Sequence, residues 1–253
     1  MNNRPAPPLR KFITEVRAPL AMANFLLRAQ GIPDLPQGDG HLVMFLPAFT
    51  MGDEGLRPMA RAVQRLGYAT CGWAQGRNLG LREQTLQRLI ERLDQLHAQQ
   101  HEAVSLVGWS AGGLYAREMA RARPHAVRRV ITLGSPIRPH GSGQAMVGLA
   151  QAAFEGLLAL RGRSSFTPLL APPPVACSAI HSKADGVVDW RAAIEIEAPQ
   201  TENLEVGGTH LSFGYSLEVL RLLADRLARP PWEPSTVSSS VARAGHKRAA
   251  KPV

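Results

Sequence analysis

Ala103-Val104-Ser105-Leu106-Val107-Gly108-Trp109-Ser110-Ala111-Gly112 is the stretch on which the fold turns. An apolar run of strand character leads into a serine with glycine two residues away on each side. Gly113-Leu114-Tyr115-Ala116-Arg117-Glu118-Met119-Ala120 then continues with helical spacing. A strand, a very tight turn and a helix in that order read as a nucleophile elbow, in which Ser110 takes a strained backbone conformation and its hydroxyl is pushed outward. Side chains at the two flanking positions would collide with the neighbouring strand and helix, so glycine suits both. The helix N-terminus behind Ser110 carries free N–H groups and partial positive charge, which suit an oxyanion.

Outward from the elbow, short apolar runs alternate with amphipathic segments. His41 to Leu46 reads as a buried strand closed by Pro47-Ala48-Phe49-Thr50, and Leu56 to Leu66 as a helix stopped at Gly67. Tyr68 to Trp73 is a second strand, Gly76 to Gly80 a loop, and Leu81 to Gln99 a strongly amphipathic helix. Arg129 to Leu133, Val175 to Ile180 and Asn203 to Val206 are further strands, and a last helix runs from about Ser216 to Leu227. Strands of this kind alternating with helices predict an α/β fold, a mainly parallel sheet with helices on both faces.

Two segments fall outside the alternation. Val16 to Ala29 has helical spacing and marks residues 1–37 as an N-terminal helical extension preceding a main domain over 38–228. The stretch 137–174 has no strand signal and contains the apolar helix Ala145 to Leu160, an insertion between two strands. A helix with so few charges needs cover, either as a buried packing element or as a cap over an apolar substrate pocket.

The net charge of +9 is unevenly placed, since residues 229–253 hold five basic residues and one acidic. Their Pro, Ser and Ala content predicts a disordered basic tail, able to make weak contact with anionic surfaces, and no specific nucleic-acid binding is expected. No run approaches the ~20 apolar residues of a membrane span. The N-terminus has no apolar secretion signal, and the two cysteines, Cys71 and Cys177, form no metal-ligand pattern. A cytoplasmic protein with small buried cysteines and no metal is the expectation.

A serine hydroxyl needs a base and a group that orients the base, and in an open α/β sheet such groups gather at the carboxyl ends of strands. Asp185 lies in the first turn after the strand ending at Ile180, with Gly186 beside it. Asp189 is the competitor, equally suited to starting a helix. His210 stands on the glycine-rich loop Gly207-Gly208-Thr209 after the last strand, with His181 as its rival. Ala111 N–H and Phe49 N–H are the candidate oxyanion donors. Trp109, Leu114, Ile137, Met146 and Phe154 are candidate apolar walls for an acyl chain, although each taken singly is better suited to the core.

With these residues in place, the chain resembles the α/β-hydrolase superfamily, especially bacterial lipase- and esterase-like hydrolases. The resemblance runs from about Gly38 to Leu227 on LPAFTMGDEGLRPMARAVQRLGY, GWAQGRNLG, LVGWSAGGLYAREMA, VITLGSPI, HSKADGVVDW and GGTHLSF. It implies a helical cap insertion and cofactor-free acyl-enzyme chemistry on small-molecule or lipid esters. Ser110 would be the nucleophile, His210 the base, Asp185 the acid, and Phe49 and Ala111 the oxyanion donors. A thioesterase, amidase or acyltransferase on the same residues, or a non-catalytic binding protein on the scaffold, is the alternative. Relatives usually have glycine where this chain has Ala48, and alanine fits there only if the backbone avoids the region reserved for glycine.

Overall fold

The computed structural model describes residues 18–29, 34–138 and 169–232. Six strands form one sheet: β1 (Gly40–Leu46), β2 (Tyr68–Gly72), β3 (Val104–Trp109), β4 (Val127–Leu133), β5 (Ala176–His181) and β6 (Thr201–Glu205). They pair in the order β2-β1-β3-β4-β5-β6, and every pairing is parallel. Five helices accompany them among the described residues: α1 (Ala18–Arg28), α2 (Arg57–Arg65), α3 (Glu83–Gln100), α4 (Ala111–Ala122) and α5 (Leu217–Leu227). The expected strands and helices are found within a few residues of their sequence positions. The insertion helix 145–160, with Met146 and Phe154, lies outside the described residues, as does the tail beyond residue 232.

The two-sided burial is written in β1, where successive side chains face opposite ways. Leu42, Met44 and Leu46 join the core beneath α3 and α4, together with Leu89, Leu93, Leu106, Tyr115 and Met119. Val43 and Phe45 join the opposite core with Met59 and Val63 of α2 and Val219, Leu220 and Leu223 of α5. Phe25 of α1 is buried in that second core. Because β1 lies between β2 and β3, the chain leaves it in one direction and returns on the other side. Such a switch point opens a crevice beyond the carboxyl ends of the strands. The pairing of Leu46 with Gly108 puts the loops after β1 and β3 side by side at that crevice.

The described residues on either side of positions 139–168 are tied to the body. Arg117 of α4, 0% exposed in its side chain, makes a bidentate ion pair with Glu195, 1% exposed, through contacts of 2.7 and 3.0 Å. The same guanidinium donates to the carbonyls of Leu169, Leu170 and Ala171 at 2.9, 3.1 and 3.2 Å. On the other side of the segment, Arg138 donates to the carbonyls of Ile194 and Glu195 at 2.8 and 3.2 Å.

A second polar chain crosses the amino ends of the strands. Asp39, paired with Arg128 at 2.9 Å, bonds His41 Nδ1, and His41 Nε2 bonds Ser105 Oγ at 2.8 Å. Burial alone raises the Asp39 carboxyl pKa, but the His41 hydrogen bond and the charges of His41 and Arg128 outweigh it and hold the value at about 2. Burial keeps His41 below its ordinary 6.5 against the pull of Asp39, and burial does the same at His181.

These lowered values fix the sign of the acid response. Each group takes up its proton at a higher pH in the unfolded chain than in the folded one. Stability from the two histidines is therefore complete above about pH 6.5 and lost as pH falls through their folded values. The Asp39 share is lost only between about pH 4 and 2. A melting temperature flat between about pH 7 and 8 and falling below about pH 6.5 is expected in a buffer series. A melting temperature that rises from pH 7 to pH 5 would contradict this.

Candidate active site

Ser110 sits between β3 and α4 with φ 53° and ψ −120°, a conformation that side chains rarely adopt. The turn is held from both sides: Ser110 N–H donates to Leu133 O at 2.8 Å, and Gly113 N–H donates to Ser110 O at 3.0 Å. The glycines around it are steric necessities. A Cβ on Gly108 would overlap the backbone of Gly113, and one on Gly112 would overlap the carbonyls of Leu46 and Pro47. The start of α4 therefore rests directly on the end of β1, bringing Ala111 against the loop that carries Phe49.

Asp185 follows β5 and is buried. Its Oδ1 accepts the amides of Val187 and Val188 at 2.8 and 2.7 Å, leaving Oδ2 for His210 Nδ1 at 2.7 Å. Gly134, at φ 55°, follows β4 beside this pair, and a Cβ there would press into the Phe213 ring and come within 3.1 Å of Asp185 Oδ2. His210 opens the short helical turn His210–Tyr215. That turn is fixed by the Thr209 amide donating to Ser212 Oγ at 2.9 Å and the Ser212 amide donating to Thr209 O at 3.0 Å. Ser182 Oγ donates to Gly208 O at 2.6 Å and joins the loops of Asp185 and His210.

The rivals have other work. Asp189 accepts the Arg191 amide at 2.9 Å and starts a turn rather than the helix its sequence position suggested. His181 stacks on Trp190 with ring centroids 5.7 Å apart, and no carboxylate is paired with it among the described residues. Asp39, His41 and Ser105 repeat the three residue types, yet Ser105 is an ordinary β3 residue, 0% exposed.

Of the candidate wall residues, Trp109, Leu114 and Ile137 are all buried. Trp109 joins the core on the α2 and α5 face, and its indole N–H donates to His210 O at 3.2 Å. It thereby braces the histidine loop against the strand that carries Ser110. Leu114 joins the core beneath α3 and α4.

The loop after β1 settles the alanine question. Ala48 is buried in the core, and the described residues outside glycine with positive φ are Asp34, Thr50, Ala74, His101 and Ser110. The left-handed residue of the loop is Thr50, at φ 67°, so the Ala48 methyl packs without backbone strain. Asn78 is the residue that sequence reasoning passed over. Its sequence context marks it only as part of the loop from Gly76 to Gly80, yet its side chain donates to Pro47 O at 2.8 Å. No groups of histidine, cysteine and acidic residues suited to a metal occur among the described residues. Both cysteines are free, and burial pushes their thiols up, which makes them poor nucleophiles. No described helix is long and apolar enough to cross a membrane.

No family model matches the chain, and no curated protein matches it in sequence. Solved structures do match it in shape. One is MGS-MChE2, an α/β-hydrolase enzyme from the metagenome of sediments of the Mar Chica lagoon, Morocco. It is 16% identical over 75% of this chain and 91% of that one, with a TM-score of 0.50. A second is α/β-hydrolase domain-containing protein 10 from mouse, at 20% identity, 78% and 94% coverage and a TM-score of 0.50. A third comes from work on LipS and LipT, two metagenome-derived lipolytic enzymes, at 14% identity, 76% and 94% coverage and a TM-score of 0.51. Likeness at such identities speaks to architecture, and the architecture is common to all three.

Proposed function

The chain has the α/β-hydrolase fold, and from that premise we propose that it is a serine hydrolase cleaving carboxylic esters of small-molecule or lipid type. The observation that carries the proposal is the left-handed Ser110 at the end of β3, in the same cluster of strand ends as the hydrogen-bonded pair His210 and Asp185.

In this reaction His210 takes the Ser110 proton as the hydroxyl attacks the ester carbonyl. Asp185 holds the Nδ1–H tautomer, so Nε2 is the basic nitrogen, and it stabilises the imidazolium that forms. The amides of Ala111 and Phe49 receive the oxyanion. His210 then protonates the departing alcohol, and water repeats the sequence on the acyl-enzyme to release the acid. Asp185 suits its role because three donors hold it in place, which fixes the imidazole edge it faces.

A fluorophosphonate probe tests the assignment. Stoichiometric labelling at Ser110, lost in Ser110→Ala, is expected, with turnover of p-nitrophenyl esters. Absence of labelling in folded wild-type protein would leave the fold as a binding scaffold. Turnover of thioesters or amides with none of esters would move the activity to those leaving groups.

A further inference from the structure

We propose that Asn78 is a positioning residue that sets the Phe49 amide in the oxyanion hole. This rests on the serine hydrolase assignment and deepens it. Asn78 is 0% exposed, and four hydrogen bonds radiate from it, three of them to the loop after β1. Its Nδ2 donates to Pro47 O at 2.8 Å, its carbonyl accepts the Thr50 amide at 2.7 Å, and its amide donates to Met51 O at 2.8 Å. The fourth, Gly80 N–H to Asn78 Oδ1 at 3.2 Å, fixes the orientation of the side chain.

The three contacts bracket Ala48 and Phe49 from both sides. Met51 N–H to Ala48 O, at 3.0 Å, closes the turn over Phe49. Proline has no amide, so a carbonyl contact is the only backbone hydrogen bond by which residue 47 can be held. At the other end, Thr50 is kept in a left-handed conformation, costly for a β-branched residue, by the bond to the Asn78 carbonyl. The Thr50 and Met51 contacts come from the Asn78 main chain and persist when the side chain is changed, whereas the Pro47 end of the Phe49 turn is held by the side chain alone.

The Asn78 loop is in turn tied to the other oxyanion donor. Tyr115, four residues after Ala111 on α4, donates its hydroxyl to Gly80 O at 2.7 Å and accepts the Arg82 amide at 2.8 Å. Burial pushes its phenol up to about 12, so it stays protonated as a donor. Asp53 holds the start of the same loop through the Trp73 amide at 2.9 Å and the Ala74 amide at 3.2 Å. The Ala111 and Phe49 amides thus share one hydrogen-bonded frame with Asn78 between them. An oxyanion hole works because its donors are in place before charge develops, so displacing one acts on the transition state more than on substrate binding.

The test uses Asn78→Asp and Asn78→Ala with ester turnover counted per Ser110 titrated by fluorophosphonate. Asn78→Asp keeps the Gly80 contact but faces Pro47 O with an oxygen, while Asn78→Ala drops both side-chain contacts without burying a carboxylate, so each variant guards against failure of the other to fold. A trifluoromethyl ketone supplies the second readout. Ser110 Oγ bonds its carbonyl carbon, the serine proton passes to His210, and the carbonyl π pair becomes the oxyanion. The expected result is a fall in kcat of about 10- to 100-fold per titrated site, with KM close to wild type. Affinity for the ketone should weaken by a similar factor. If kcat per titrated site and ketone affinity both stay within about twofold of wild type, Asn78 is merely structural and the proposal is overturned, whatever the melting temperature does. A wild-type protein that does not titrate at Ser110 overturns the hydrolase assignment itself, and this inference with it, before either variant is compared.

Discussion

Asp185→Asn is expected to lower kcat for ester substrates by about 10⁴-fold while leaving the fold intact. The size of the effect follows from how the carboxylate is held. Oδ1 is committed to the Val187 and Val188 amides, and an asparagine satisfies both of these donors only by placing its own oxygen there. Its NH₂ group then faces His210 Nδ1 where Oδ2 stood. Two donors cannot share that contact, so the imidazole moves its proton to Nε2 and can no longer accept one from Ser110. Steady-state rates on a p-nitrophenyl ester, beside thermal unfolding, decide the matter. A loss below tenfold in a folded variant would remove Asp185 from the mechanism. Asp189→Asn serves as the control and should stay close to wild type, since Asp189 meets only the turn at Arg191.

The largest effect on stability is expected at Glu195→Ala, at about 3–5 kcal/mol, or a fall in melting temperature of roughly 10 °C. Arg117 is fully buried and cannot be deprotonated, so removing its partner strands a charge away from water. An apolar replacement of both residues, Arg117→Met with Glu195→Leu, relieves the charge but leaves the Leu169, Leu170 and Ala171 carbonyls without their donor. The double variant should therefore recover only part of the loss. Differential scanning calorimetry of the single and double variants separates the contributions. A single variant within about 2 °C of wild type would show that the pair carries little.

The centre of the sheet was legible because its strands are short apolar runs with few alternatives, unlike the polar edge strand β6, and because Gly108 and Gly112 mark where two backbones touch. Asp185 and His210 were legible from the rule that groups at strand ends converge. Arg117, Glu195 and Asn78 carry no such mark. An arginine in an amphipathic helix and a glutamate among turn residues look like solvated charges until the fold buries them against each other. Asn78 looked like ordinary turn chemistry, since the carbonyl that it meets lies 31 residues away in sequence. The alanine that departs from the usual glycine was misleading in its local context, because the strained backbone falls two residues later, at Thr50.

The chain Asp39–His41–Ser105 carries a lesson for searches that look for enzymes by side-chain constellation. A template asking only for a serine, a histidine and a carboxylate grouped together would be met at the amino ends of the strands by Ser105, His41 and Asp39, while the hydrogen-bonded pair His210 and Asp185 lies with Ser110 at their carboxyl ends. What separates the two is the main chain: one serine is extended within a strand, the other is left-handed at the mouth of a helix. A template that includes the φ of the serine would keep Ser110 and discard Ser105 within a single protein.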